Sequence, residues 1–272
     1  MPMNQRLLRP RQTIHPEAAD WANRVRSNSG SVSGTTLAAV SKFCTSIASA
    51  GIRGRFYRLN LLCGTGLNAC LVPLYRGPSL SGTQYGNTTD TNVNFVSGDY
   101  STTSGLTGDG TTKYLRTGLA SSSLAGGLTG HCSIWRGTGT VASTRIAIGG
   151  SDNDVDDFEI QERTGSTHGA WGKTTFVGAS PGNVAGLKMI NRSASNRIDL
   201  YVNGSSGANS TSTITVAAHN NEFYVCAGNR NGSATLPIAL PVFMYSVGLS
   251  MTATQASAFY TAASALVTAL GR

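Results

Sequence analysis

Glu159 and Glu162 come first, because a carboxylate pair is the smallest unit able to cleave a glycosidic bond. A retaining pair stands about 5–5.5 Å apart on one side of the substrate. Three residues apart on a strand, these two leave on opposite faces, so a working pair would need a partner from another strand. The run from Asp152 to Asp157 places oxygen ligands at alternate positions, as a calcium loop does. Its sixth position is Asp157 where the turn needs glycine, and its twelfth is Arg163 where a bidentate Glu belongs. That excludes the helix-loop-helix site and leaves an irregular oxygen cluster or a solvated loop.

Other chemistry is thinner still. His15, His131, His168 and His219 are scattered, with no H-x-x-x-H or H-E-x-x-H, and no serine lies in G-x-S-x-G. A Ser-His-Asp set could only be assembled in three dimensions. Gly64-Thr65-Gly66 has no following lysine and no parallel βαβ setting, so it is not a phosphate loop. Cys44, Cys63, Cys70, Cys132 and Cys226 form no C-x-x-C pair and read as small buried hydrophobes. The expectation is therefore no catalytic residue, no metal ligand and no cofactor. Trp135 and Trp171 remain as binding candidates, since an aromatic face suits the apolar face of a pyranose; the alternative for a strand tryptophan is the core. Arg6, Arg9 and Arg11 are candidate anchoring residues, able to bond carboxylates of a partner or phosphates. No aromatic interleaving or recognition helix accompanies them, so sequence-specific nucleic-acid binding is not expected.

The elements that must position these residues are mostly strands. With 33 glycines and only 12% charged residues, the composition describes many short strands and turns, and 40% hydrophobic residues argue against disorder. Strand candidates recur from Lys113 to Val247, among them His131–Arg136, Asp157–Arg163, Ala170–Val177, Thr211–Val216 and Glu222–Ala227. No crossover helices separate them, which excludes a parallel α/β sheet. The clearest pair spans Gly186 to Gly204. Leu187 and Met189 alternate with Lys188, then Ile198, Leu200 and Val202 with Arg197, Asp199 and Tyr201, as if one sheet face were buried, and Asn203-Gly204 suits a primed turn.

Helices flank this body. Pro16 and Glu17 open one that stops near Ser29-Gly30; a second follows Gly34, capped by Thr35 or Thr36, and Gly51 ends it. Thr252 to Gln255 is a capping box for a last helix with Ala256, Phe259, Ala263, Leu266 and Leu270 on one stripe. The first 60 residues hold nine Lys and Arg against Glu17 and Asp20, or +7 of the net +8. The nearly neutral β body is expected not to need that basic segment for folding. The predicted organisation is a basic extended arm over 1–14, a helical segment over 15–54, a β-sandwich over 55–250 and a packed helix over 251–272. No stretch is apolar enough for a membrane span or a signal peptide.

Arg197-Ile-Asp-Leu-Tyr-Val-Asn-Gly204 resembles the strand-and-turn hallmark of concanavalin A-like, laminin G-like jelly rolls. Three further blocks are similar to uncharacterised proteins of tailed bacteriophages and prophages: Arg55 to Gly77, Val96-Ser-Gly-Asp-Tyr100 with Gly105 to Leu115, and Tyr245 to Thr252 with Phe259-Tyr260 and Leu270-Gly-Arg272. The resemblance covers roughly 15–272. It implies a mainly β, antiparallel jelly-roll sandwich and a non-enzymatic structural protein of the virion, such as a capsid decoration, tail fibre or spike. The implied partners are other virion proteins and further copies of the chain; the alternative is an adhesin whose partner is a host-surface glycan.

Overall fold

The computed structural model describes residues 13–124, 129–152, 157–172, 176–180 and 184–272. Helix α1 (Pro16–Ser27) starts with proline in its first turn, and His15 caps it by accepting from the Glu17 amide. Helix α2 (Gly34–Ser49) is capped by Ser33, whose hydroxyl accepts from Thr36 N at 3.0 Å, so the cap lies two or three residues ahead of the expected threonines. A short α3 (Leu67–Cys70) follows, and α4 (Ala253–Ala269) begins with the expected box: Gln255 N donates to Thr252 Oγ1 and Thr252 N to Gln255 Oε1.

The strands form two antiparallel sheets. One runs β13 (Ser205–Ser210), β12 (Arg197–Val202), β11 (Gly186–Ala194), β6 (Gly130–Arg136), β17 (Pro241–Gly248), β4 (Gly105–Thr107), β3 (Tyr100–Ser101), with β1 (Phe56–Asn60) also paired to β17. The other runs β10 (Phe176–Ala179), β9 (Ser166–Trp171), β8 (Asp157–Arg163), β7 (Arg145–Ser151), β14 (Glu222–Val225), β5 (Tyr114–Ala120), β2 (Thr91–Val93). A small hairpin, β15 (Gly228–Arg230) with β16 (Ser233–Thr235), adds the one parallel contact found among the described residues, to β7. The architecture is a mainly β jelly-roll sandwich with a few helices.

Two expected strands come out differently. The run 170–177 is split between β9 and β10, which pair with each other. Residues 211–216 form no strand; Ser205–Ser210 pairs instead, because the turn at Asn203 (φ 51°) and Gly204 (φ 76°) folds it back onto β12 regardless of its polar side chains.

Two cores sandwich the first sheet. Cys132, Ile134, Ile148, Phe158, Ile160, Ile190, Leu200 and Phe223 fill the space between the sheets. Trp21, Val40, Phe43, Ile47, Trp135, Leu187, Met189, Met244, Phe259 and Leu266 fill a second core between the outer face of that sheet and the helices. The hairpin 186–204 is thus buried on both faces. Leu187 and Met189 face the helices, while Lys188 lies on the interior face with Ile190.

For its described part, residues 13–60, the basic segment is packed into the β body, against the expectation that the body does not need it. The helices α1 and α2 cover the second core, and Arg58 of β1 is sealed inside the protein. Its guanidinium meets Asp90 Oδ1 at 2.6 Å, with both side chains fully buried, and Tyr245 Oη and Asn60 Nδ2 donate to the same carboxylate at 2.6 and 2.7 Å. A buried ion pair survives only when its remaining polar atoms are satisfied, as they are here. Arg24 is likewise held by Asp20, and Arg53 by Glu17.

Candidate functional site

The period of two along β6 sends His131, Ser133 and Trp135 to the outer face and Cys132, Ile134 and Arg136 inward. At the end of this strand the helix cover stops short, leaving a groove of about 350 Å³ lined by Trp135, Thr138, Gly186, Asn203, Phe243 and Tyr260. Trp135 is 8% exposed and lies parallel to Tyr260 of α4, with ring centroids 5.8 Å apart and planes 10° from parallel.

The turn after β12 makes this approach feasible. Gly204 sits at positive φ, and a Cβ there would come within 2.8 Å of the Tyr260 side chain. Gly186, at φ +123°, leaves space for the Asn203 side chain, whose Oδ1 accepts from Leu187 N at 2.9 Å. A larger residue at either position would be strained and would push the groove wall away. Among the described residues the hydroxyls of Thr138 and Tyr260 make no hydrogen bond. The far wall is Arg272, fixed by donation from Nε to Thr102 O and from Nη2 to Leu62 O, both at 2.9 Å, with its guanidinium 5.4 Å from the Phe243 ring centre. The groove therefore offers an aromatic floor, two unspent hydroxyls and a rigid rim, a combination suited to a small polar ring with an apolar face.

Trp171 is not a binding residue. It is 0% exposed and sits between the sheets, edge-on to Phe158 and stacked with Phe223, because the inward register of β9 places it in the core. The two candidates thus part: Trp135 reaches the groove and Trp171 does not. Arg6, Arg9 and Arg11 lie outside the described residues. So do Asn153 to Asp156 of the acidic run, while Asp157 is buried at the start of β8.

The carboxylates are sealed as well. Glu159 and Glu162 are both 0% exposed and on opposite faces of β8, so they cannot flank one sugar bond. Glu162 points between the sheets, where Arg136 Nε stands 3.2 Å from its Oε1 and Thr167 Oγ1 donates to its Oε2 at 3.0 Å. Lys188 lies beside them; burial pushes its ammonium down to about 8, with Glu162 pulling the other way. Burial also raises the Glu162 carboxyl, against the neighbouring Lys188 and Arg136.

A serine and a histidine do meet. His131 Nε2 lies 2.9 Å from Ser246 Oγ, and Ser133 Oγ 2.7 Å from Ser246 Oγ. The other ring nitrogen, Nδ1, contacts Leu249 O at 2.7 Å, so it carries the proton and Nε2 accepts. A carbonyl takes the place where a catalytic triad has a carboxylate, and the whole set is buried beneath Phe56, so no substrate reaches it. Burial lowers the imidazole to about 4, keeping it neutral.

Tyr260, Thr138, Asn203 and Phe243 were not legible as site residues. The one hint was Tyr260 beside the stripe residue Phe259, an aromatic at the edge of an otherwise small-residue helix. Elsewhere, His15, Glu17 and Cys44 bring one ligand atom each to within 4.8 Å of one another, sharing no residue with the groove.

No protein-family model matches the chain, and no curated protein does. Solved structures do. A point mutant of HCR/D aligns with a TM-score of 0.53 at 10% identity, over 78% of this chain and 53% of that one. The binding domain of botulinum neurotoxin DC in complex with SialylT gives 0.43 at 8% identity, over 56% and 39%. The Ruminococcus gnavus IT-sialidase CBM40 bound to α2,3-sialyllactose gives 0.38 at 11% identity, over 46% and 78%. The HCR/D likeness is one of fold, and the chain spans about half of that protein's length, 53%. Among the described residues, no helix is long and apolar enough to cross a membrane.

Proposed function

We propose that this chain is a non-catalytic carbohydrate-binding module, with the groove alongside the stacked Trp135–Tyr260 pair as its glycan site. The observation that carries the reading is the parallel aromatic pair with the free Tyr260 and Thr138 hydroxyls at its margin. A pyranose ring stacks its C–H face on such a surface and takes hydrogen bonds at its edge. A glycan array probed with the full chain tests it: hits are expected, and they should fade for Tyr260→Ala while surviving Trp171→Phe. A blank array that includes bacterial-surface polysaccharides would overturn it.

A second reading follows from the phage resemblance: the module is displayed on a virion, bound to capsid or tail proteins through its N-terminal arm. Arg24, Arg53 and Arg58 are engaged within the fold and so are not available for attachment, which leaves Arg6, Arg9 and Arg11 of the arm among the cations that can serve it. Deleting residues 1–13 should abolish incorporation into particles of the parent phage; unchanged incorporation would refute anchoring by the arm.

A further inference from the structure

The helical layer holds a set of donors that the groove does not use. His15 stands at the cap of α1, Glu17 in its first turn and Cys44 on α2, and one ligand atom from each lies within 4.8 Å of the other two. They represent imidazole, carboxylate and thiol, the three donor types that zinc takes. The backbone holds them in place: His15 N donates to Ser41 Oγ of α2 at 2.8 Å, tying the start of α1 to the helix that carries Cys44. Arg53 Nε takes Glu17 Oε1 at 2.5 Å and leaves the second carboxylate oxygen available.

Tyr75 supplies an independent pointer. Its buried hydroxyl lies beside Glu17 and against the Cys44 thiol, so it lines the space the three donors enclose. The charge balance is also acceptable. A divalent cation would meet one carboxylate and one thiolate, beside the Arg53 guanidinium that pairs with Glu17 and stacks 3.7 Å over the Tyr75 ring.

We propose that His15, Glu17 and Cys44 bind a zinc-class divalent metal, with the Tyr75 hydroxyl facing the fourth tetrahedral position. On binding, the Cys44 S–H bond breaks, its proton passes to solvent, and a metal–thiolate bond forms; no redox change is involved. Tetrahedral zinc spaces its ligand atoms by about 3.5 Å, so donors within 4.8 Å of one another close by about 1.3 Å at most. The metal would clasp α1 to α2 where the basic arm enters the fold. Sequence spacing could not reveal this, because two donors come from the cap and first turn of one helix and the third from another helix.

The test uses the full chain, stripped with a chelator and titrated with Co²⁺. One equivalent should bind with a near-ultraviolet thiolate-to-cobalt band, and Zn²⁺ should abolish that band by displacement. Zinc at a hundredfold excess over its Kd should raise Tm by roughly 5 °C. Cys44→Ala should lose the band and His15→Asn should lose the Zn²⁺-induced rise in Tm while keeping the metal-free Tm, whereas Cys63→Ala should behave as the parent. Absence of both band and Tm rise in the parent chain overturns the proposal, as does persistence of both in His15→Asn and Cys44→Ala.

Discussion

The two faces of β6 and β11 at the groove end make an instructive pair. Outward, Trp135 and Leu187 are apolar and meet the helices and the groove; inward, Arg136 and Lys188 are charged and meet Glu162 in the middle of the sandwich. Polarity by itself would have placed them the other way round. What decides the matter is the partner each face finds: a carboxylate inside for the cations, and a tyrosine on α4 for the tryptophan. One face spends its polar groups on itself and can only stabilise. The other leaves hydroxyls and an aromatic edge unspent, as the proposed glycan site requires.

The largest expected effect breaks the inner face. Glu162→Gln leaves Arg136 and Lys188 buried without their counter-ion and should cost about 3–5 kcal/mol of unfolding free energy in denaturant titration. A loss under about 1 kcal/mol would mean the cluster is not compensating buried charge.

Acid sharpens the outer face. The His131 imidazole is depressed from 6.5 to about 4 in the fold, so the unfolded chain binds a proton more readily between those values. Its contribution is full above pH 6.5 and is lost as pH falls through 4, a loss of about 3 kcal/mol. His131→Gln should flatten that part of the stability–pH profile. Base sharpens the inner face with the same sign: Lys188, at about 8 in the fold, contributes stability in full above 10.5 that is lost as pH falls through 8. The stability difference between the parent and Lys188→Met should grow in the parent's favour over pH 7.5–10.5, on top of a decline common to both as the buried thiols, raised by burial, oppose unfolding less above about pH 9.

Smaller effects belong to the groove. Tyr260→Ala should weaken glycan binding about tenfold, near 1.4 kcal/mol, with unfolding changed little because the side chain is only half-buried. Tyr260→Phe, which removes only the hydroxyl, should cost about threefold, measured by titration of the same glycan.

Much of the fold was readable in the residues. The capping box at Thr252, the proline start of α1 and the Asn203-Gly204 turn are local features with local causes, and each has its expected form. The alternation of β11 was read correctly as a period but with one face exposed, since a sequence does not say that two helices distant along the chain will cover the second face. Lys188 and Arg136 were invisible for the same reason: their partner Glu162 lies on another sheet. The site was half legible. Trp135 stood out by type, as did Trp171, and only the register of β6 against β9 separates a groove floor from a core plug. Tyr260 belongs to the groove through the approach that Gly204 permits, a contact between segments far apart in sequence.

The most direct measurement is tryptophan emission during titration with a glycan taken from the array. Trp21 and Trp171 are sealed in the two cores, at 1% and 0% exposure, so a ligand in the groove should reach only Trp135. The account predicts a saturable change in emission that disappears in Trp135→Phe and persists in Trp171→Phe. Glycan binding that leaves the emission of the parent unaltered, or a change that survives Trp135→Phe, would contradict the placement of the site.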